Sequence, residues 1–383
     1  MRLSAKSVVV LGGGTGGLVA ATRLRRMLDP EHRITIIDRS PYYTFEPSLT
    51  WVMAGRRTLP RITRDLRKLR KKGINVHTAE ITAIDLEARR VTYGKSEIEF
   101  DYLVIALGAE YSAAEVPGLN RAWTFYHGDG AEGMREELES FAGGRVVCAV
   151  PQLPYKCPTA FYEGVLLLDA HFRRRKLRGG ITIEVYTPEA APLPEAGPHV
   201  GERILELLRS RDIAFTGGVE VKSVNHEKKL LNLAGGEPVP FDMLVATPVH
   251  NLPLVLRDTG LAGADGWIAV DRETLATSVR GVYAIGDCAS VPIATGKLPK
   301  AAVFAHGEAE VVARNIRAEV QGTEPIWAFG GQGAYFLDTG EGKGAYIVGN
   351  YFKGPAEVDF RGPSRLYYWA KIGVERVWLW RWF

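Results

Sequence analysis

The feature that most restricts this chain is a run of glycines lodged between an apolar strand and a helix near its N-terminus. Residues 7–11 are β-rich, residues 12–17 read Gly-Gly-Gly-Thr-Gly-Gly, residues 18–27 carry a helical pattern, and residues 34–37 form a second apolar strand. Gly12, Gly14 and Gly17 fill the three positions of G-x-G-x-x-G, and Asp38 follows about 20 residues later. Each residue has a physical task. Gly12 permits the tight turn, Gly14 lets backbone approach a pyrophosphate, and Gly17 lets helix and strand pack closely. The helix N-terminus offers amide donors to the phosphates, and Asp38 is placed to accept ribose hydroxyl hydrogens. The pattern predicts a dinucleotide-binding βαβ unit.

Later segments point to FAD. Residues 100–109, with Gly108 in a small-residue turn after an apolar strand, resemble the A-T-G stretch of the two-dinucleotide flavoproteins. Residues 282–289 resemble the second flavin signature of that superfamily, in which Gly286 turns the chain and Asp287 meets the ribityl hydroxyls. The resemblance further implies a helix over 307–320 aimed at the flavin ring, with Lys300 beside it.

The remaining composition limits the class. A chain of 383 residues is long enough for two cores. Its 46% hydrophobic and 24% charged residues are ordinary globular usage. The net charge of +4 gives no support to a nucleic-acid partner, and no metal is expected. Three cysteines do not make a disulfide framework. No apolar run reaches the roughly 18 residues of a membrane span. Residues 1–6 have no signal-peptide pattern, so the expected location is the cytoplasmic side, with peripheral membrane contact at most.

The expected fold is α/β, with two Rossmann-like dinucleotide-binding domains, the second inserted in the first. Residues 1–117 and 277–320 are assigned to FAD, 118–276 to the inserted domain, and 321–383 to a C-terminal membrane- and quinone-facing segment. The inserted domain lacks what a nicotinamide dinucleotide needs. After its first strand, residues 150–158 read Val-Pro-Gln-Leu-Pro-Tyr-Lys-Cys-Pro, with no glycine to let a pyrophosphate approach. Cys157 stands there instead, just before Pro158 and a helix over 159–172. A helix N-terminus and Lys156 would both favour its thiolate. Cys148, within a strand, and Cys288 read as packed residues.

Residues 154–163, 42–52 and 247–250 resemble the sulfide:quinone oxidoreductases and the flavoprotein subunit of flavocytochrome c sulfide dehydrogenase. That resemblance implies that Cys157 is one of two redox cysteines and that Glu163 is a nearby proton-transferring carboxylate. It also implies that a second cysteine belongs within 331–336. No cysteine follows Cys288, so a disulfide cycle cannot run there. Phe45 stands where the flavocytochrome group carries a covalently bonding cysteine, so FAD is expected to be non-covalent.

Four of the eight tryptophans lie in residues 369–383, among Lys371, Arg376 and Arg381. Aromatic and basic side chains together suit a membrane interface, where a quinone could reach the flavin. A tail packed on the body or in a homo-oligomer interface is the other reading. Three functions compete: electron transfer from sulfide or a related sulfur compound to quinone, a type II NADH:quinone dehydrogenase, and a flavin-bearing redox sensor or partner subunit without turnover.

Overall fold

The computed structural model describes residues 5–112 and 115–383. The first strand, Ser7–Leu11, is wholly buried and lies mid-sheet, so it reads as a continuous apolar run instead of an alternating one. Its sheet has five parallel strands in the order Val282–Ala284, Tyr102–Ile105, Ser7–Leu11, Arg33–Asp38 and Asn75–Thr78. The glycine-rich turn leads into the helix Thr15–Met27, which starts three residues before the expected 18 because Gly14 itself is the N-cap. Leu18, Val19 and Leu24 on this helix are fully buried, and each such side chain stabilises by about 1.5–3 kcal/mol. The helix Ala302–Val320 packs alongside and starts five residues before the expected 307.

A second parallel sheet has the order Ile213–Gly217, Ile181–Thr187, Gly144–Ala149 and Met243–Ala246. The architecture is therefore α/β with two dinucleotide-binding-type units, as expected. From the second sheet runs the helix Pro158–Arg174, with Cys157 as its N-cap. Three guanidinium groups, of Arg173, Arg178 and Arg211, converge on the fully buried Asp169 of this helix. Arg211 also donates to the Thr339 carbonyl and so ties the helix to the C-terminal sheet.

That C-terminal sheet is antiparallel, with strands Gln332–Gly340, Lys343–Asn350 and Glu357–Ser364. The helix Arg365–Arg381 follows, with the Ser364 side chain accepting from the Tyr367 amide as its cap. It packs on the strands, its residues Ile372, Glu375 and Leu379 are buried, and Trp382 just beyond it is also buried. Leu366, Trp369, Val377 and Trp380 remain exposed. Their spacing places them on one outward stripe of the helix. No helix among the described residues is long and apolar enough to cross a membrane.

Candidate active site

A cleft of about 890 Å³ opens at the carboxyl ends of the first parallel sheet. Ligands of open α/β sheets bind in this crevice because loops there diverge and helix N-termini point into it. Gly12, Gly14, Asp38, Gly108, Gly286, Asp287, Lys300 and Cys157 all line it.

The glycines divide by task. A Cβ on Gly17 would stand 1.9 Å from the Gly12 carbonyl oxygen, and one on Gly12 would stand 2.3 Å from that of Ala106, so both are needed for packing. A Cβ on Gly14 or Gly108 would meet no atom within 4 Å, so their faces are left open to the cleft. The helix behind Gly14 has no side-chain cap and no acid in its first turn, leaving amide donors for an anion. The Asp38 carboxylate accepts from the Gly13 amide at 2.6 Å and the Ser40 amide at 2.7 Å, which fixes it at the rim. Across the cleft, the Asp287 carboxylate accepts no hydrogen bond among the described residues, and burial raises its pKa. These residues fit FAD: an open phosphate cradle at one end and unengaged carboxylate oxygens at the other.

Lys300 is buried, and its amine donates to the carbonyls of Asp287 at 2.6 Å and Ala289 at 3.3 Å. It sits 3.4 Å from the Trp267 ring centroid. Burial pulls its pKa down to about 8, with Asp287 opposing. Glu308 accepts from the Gly286 amide at 2.6 Å and is raised by burial to about 7. Sequence reading missed Glu308, whose only local signal was an acid inside an apolar helix.

Cys157 has a left-handed backbone (φ 50°), and its amide donates to the Lys300 carbonyl at 2.5 Å. The expected thiolate is not favoured. Burial, then Asp287 and Glu163, push the thiol up to about 12. Lys156 does not offset this, because its amine is bound to Glu46 at 2.9 Å and lies over the Tyr111 ring. Cys288 and Cys148 are fully buried, as packed residues should be, and the Cys288 Sγ donates to the Ile285 carbonyl at 3.3 Å.

Glu163 lies outside the cleft lining and is neither solvated nor free. Its carboxylate is held by the Lys371 amine, the Thr50 hydroxyl and the Asp338 amide, the last at 2.8 Å. Burial raises its pKa and Lys371 pulls it back. Its partner Thr50 does line the cleft. The segment expected to hold a second sulfur instead presents Tyr335, whose hydroxyl pairs with that of Tyr351. Behind the cleft, His250 packs edge-on against Tyr111 and Tyr126 with neither ring nitrogen bonded. Burial lowers it to about 3, so the ring is neutral.

The sequence pattern described as pyridine nucleotide-disulphide oxidoreductase matches residues 6–148 and 174–309. The interruption, 149–173, spans the glycine-free turn and Cys157. The mitochondrial sulfide:quinone oxidoreductase of Mus musculus is 28% identical over 366 residues, covering 91% of this chain and 79% of that protein. The sulfide-quinone reductase of Aquifex aeolicus is 26% identical, covering 98% of this chain and 91% of the relative. The X-ray structure of the Aquifex aeolicus sulfide:quinone oxidoreductase superposes with a TM-score of 0.88 at 25% identity, over 99% of this chain and 91% of that one. With the flavin-compatible cleft, these matches make the chain an FAD-dependent oxidoreductase that belongs to the pyridine nucleotide-disulphide oxidoreductase family.

Proposed function

We propose that the chain is a sulfide:quinone oxidoreductase-like enzyme that takes two electrons from sulfide or a related sulfur compound and delivers them to a quinone. The observation that carries this reading is the position of Cys157: a thiol on the flavin cleft, at the turn where a nicotinamide-binding unit would need glycine. Bound non-covalently, FAD supplies the two-electron acceptor. Gly12, Gly14, Asp38, Gly108, Gly286, Asp287 and Lys300 hold it, with Gly17 letting the helix pack behind the phosphate cradle, within a unit formed by residues 1–117 and 277–320.

Residues 118–276 carry Cys157 to the cleft, where burial and neighbouring carboxylates keep the thiol protonated until substrate arrives. Glu163 acts through Thr50, whose hydroxyl joins the buried carboxylate to the cleft wall. The relatives named for sulfide and quinone support the substrate pair.

Residues 321–383 form the acceptor side, lying peripherally on a membrane through the stripe of Leu366, Trp369, Val377 and Trp380. The inner side of the same tail backs one residue of the cleft wall, Tyr43. Trp378 packs on Phe45 at 6.0 Å, and Phe383 packs on Tyr43 at 5.4 Å.

Anaerobic titration of the yellow protein tests the reading. Sulfide should bleach the oxidised-flavin band, NADH should leave it, and a soluble quinone should restore it. Bleaching by NADH alone would move the chain to the type II NADH:quinone dehydrogenases. Full reduction of Cys157→Ser by sulfide would remove the thiol from the reaction.

A further inference from the structure

A second cavity, of about 350 Å³, lies against the tail helix and has no part in the electron transfer described above. Arg61, Arg64 and Lys68 form one wall, and Arg376, Trp380 and Phe383 the other. Its carboxylate, Glu375, is already engaged: Arg57 donates to it at 2.8 Å and the Ser48 hydroxyl at 2.6 Å. Among the described residues none of the four cavity cations has an ion-pair partner, although ion pairs are numerous elsewhere. Arg64 donates to the carbonyls of Arg61 at 3.0 Å and Thr63 at 2.8 Å, which holds its guanidinium in place without neutralising it.

The charge is regional. Residues 56–72 carry nine lysines and arginines against one acid, Asp65, and residues 365–383 carry four against one, Glu375. These two segments together outweigh the whole chain's net +4, so the rest of the chain is net negative. Lys72 joins them by donating to the Trp382 carbonyl at 2.8 Å. Four unpaired cations converging on one cavity repel one another unless an anion joins them. Trp380, 82% exposed, belongs to both the cavity wall and the apolar stripe. The cations therefore lie beside the surface that would enter a bilayer, at headgroup depth.

We propose that this cavity binds an anionic phospholipid headgroup, whose phosphate lacks the choline cation that offsets it in phosphatidylcholine, so that the protein selects acidic membranes. The proposal rests on the reading of the tail as a membrane face and adds to it the chemistry of the lipid. Guanidinium groups match phosphate oxygens in pairs, and the tryptophan beside them suits the interface.

Flotation of the flavin-loaded full chain tests it, with vesicles of phosphatidylcholine alone and of phosphatidylcholine mixed with phosphatidylglycerol. The wild type should bind both, and the mixed vesicles more tightly. Arg61→Gln/Arg64→Gln/Lys68→Gln should lower binding to mixed vesicles on the order of a hundredfold. Its binding to neutral vesicles should not change. A matched triple of cations outside the cavity, exposed and unpaired among the described residues, Lys71→Gln/Arg365→Gln/Arg381→Gln, should lose no more than about tenfold, as expected for charges that act diffusely through salt.

Equal losses in the two triples would overturn the cavity while leaving general attraction. Equal wild-type binding to the two vesicle types would overturn the headgroup site and leave the tail reading intact. No binding to either would overturn both. Flavin absorbance and melting temperature report folding. Should the cavity triple fail to fold, the single exposed substitution Lys68→Gln is read the same way, with a loss of roughly fivefold expected and no loss overturning the proposal.

Discussion

The Lys371 amine and the Glu163 carboxylate form a buried ion pair that joins the tail helix to the helix capped by Cys157. Thr50 and the Asp338 amide complete the carboxylate's shell. A charge left alone in such a place is far more costly than the pair. Lys371→Met should therefore destabilise the protein by about 3–5 kcal/mol in urea unfolding. Glu163→Gln/Lys371→Met should recover a large part of that loss. A double variant no better than the single would show that the two groups do not interact.

The thiol of Cys157 should behave as a very weak acid. Its ordinary value is 9.0, and burial first, then Asp287 and Glu163, push it up to about 12. Between those values the folded protein keeps a proton that the unfolded chain gives up. The contribution to stability is therefore full below pH 9 and declines as the pH rises toward 12. The rate of Cys157 alkylation should keep climbing beyond pH 9, the value at which an ordinary thiol is half ionised. A plateau reached by pH 8 would show a thiolate stabilised by something beyond these neighbours.

Glu189 is the corresponding case among the carboxyls. Burial lifts it to about 7, although Tyr162, Tyr155 and Thr187 all donate to it. Its raised value means that the folded state holds a proton from pH 4.5 to 7 where the unfolded chain does not. Its contribution to stability is full below pH 4.5 and is lost by pH 7. A Glu189→Gln variant should show a flatter decline in melting temperature across that window, worth about 3 kcal/mol between its ends. An unchanged slope would mean that the carboxyl ionises normally.

Two glycines of the fingerprint should fail in different ways. Gly14→Ala adds a Cβ into open space, so the apoprotein should fold normally and lose FAD affinity. Gly17→Ala forces a Cβ to 1.9 Å from the Gly12 carbonyl oxygen, so the fold itself should weaken by at least about 1–3 kcal/mol. Flavin content and apoprotein melting temperature separate the two. Unchanged flavin content in Gly14→Ala would place the pyrophosphate away from this turn.

The sequence exposed the cofactor end of this site because the constraint there is local. A turn that needs glycine, a helix N-terminus and an acid at a strand end are all read from neighbouring residues, and Gly12, Asp38 and Asp287 line one cleft. The thiol's location was equally legible, since Pro158 announces the helix that Cys157 caps.

Its protonation was not legible. Lys156 and the helix end suggested a thiolate, but Glu46, 110 residues away in sequence, takes the lysine, and burial outweighs the helix. The tie from Glu163 to Lys371 spans 208 residues and leaves no periodic trace. The same is true of the C-terminal antiparallel sheet, whose glycines and aromatics conceal its alternation.

The amide of Cys157 rests on the carbonyl of Lys300, and this bond joins the inserted half of the molecule to the segment that enters the helix Ala302–Val320. Swinging the halves apart would break that clasp and carry the sulfur away from its post. A reaction that keeps the clasp intact must pass its reactants through the open mouth of the cleft. That arrangement suits a donor of very few atoms, which needs no jaw to close over it.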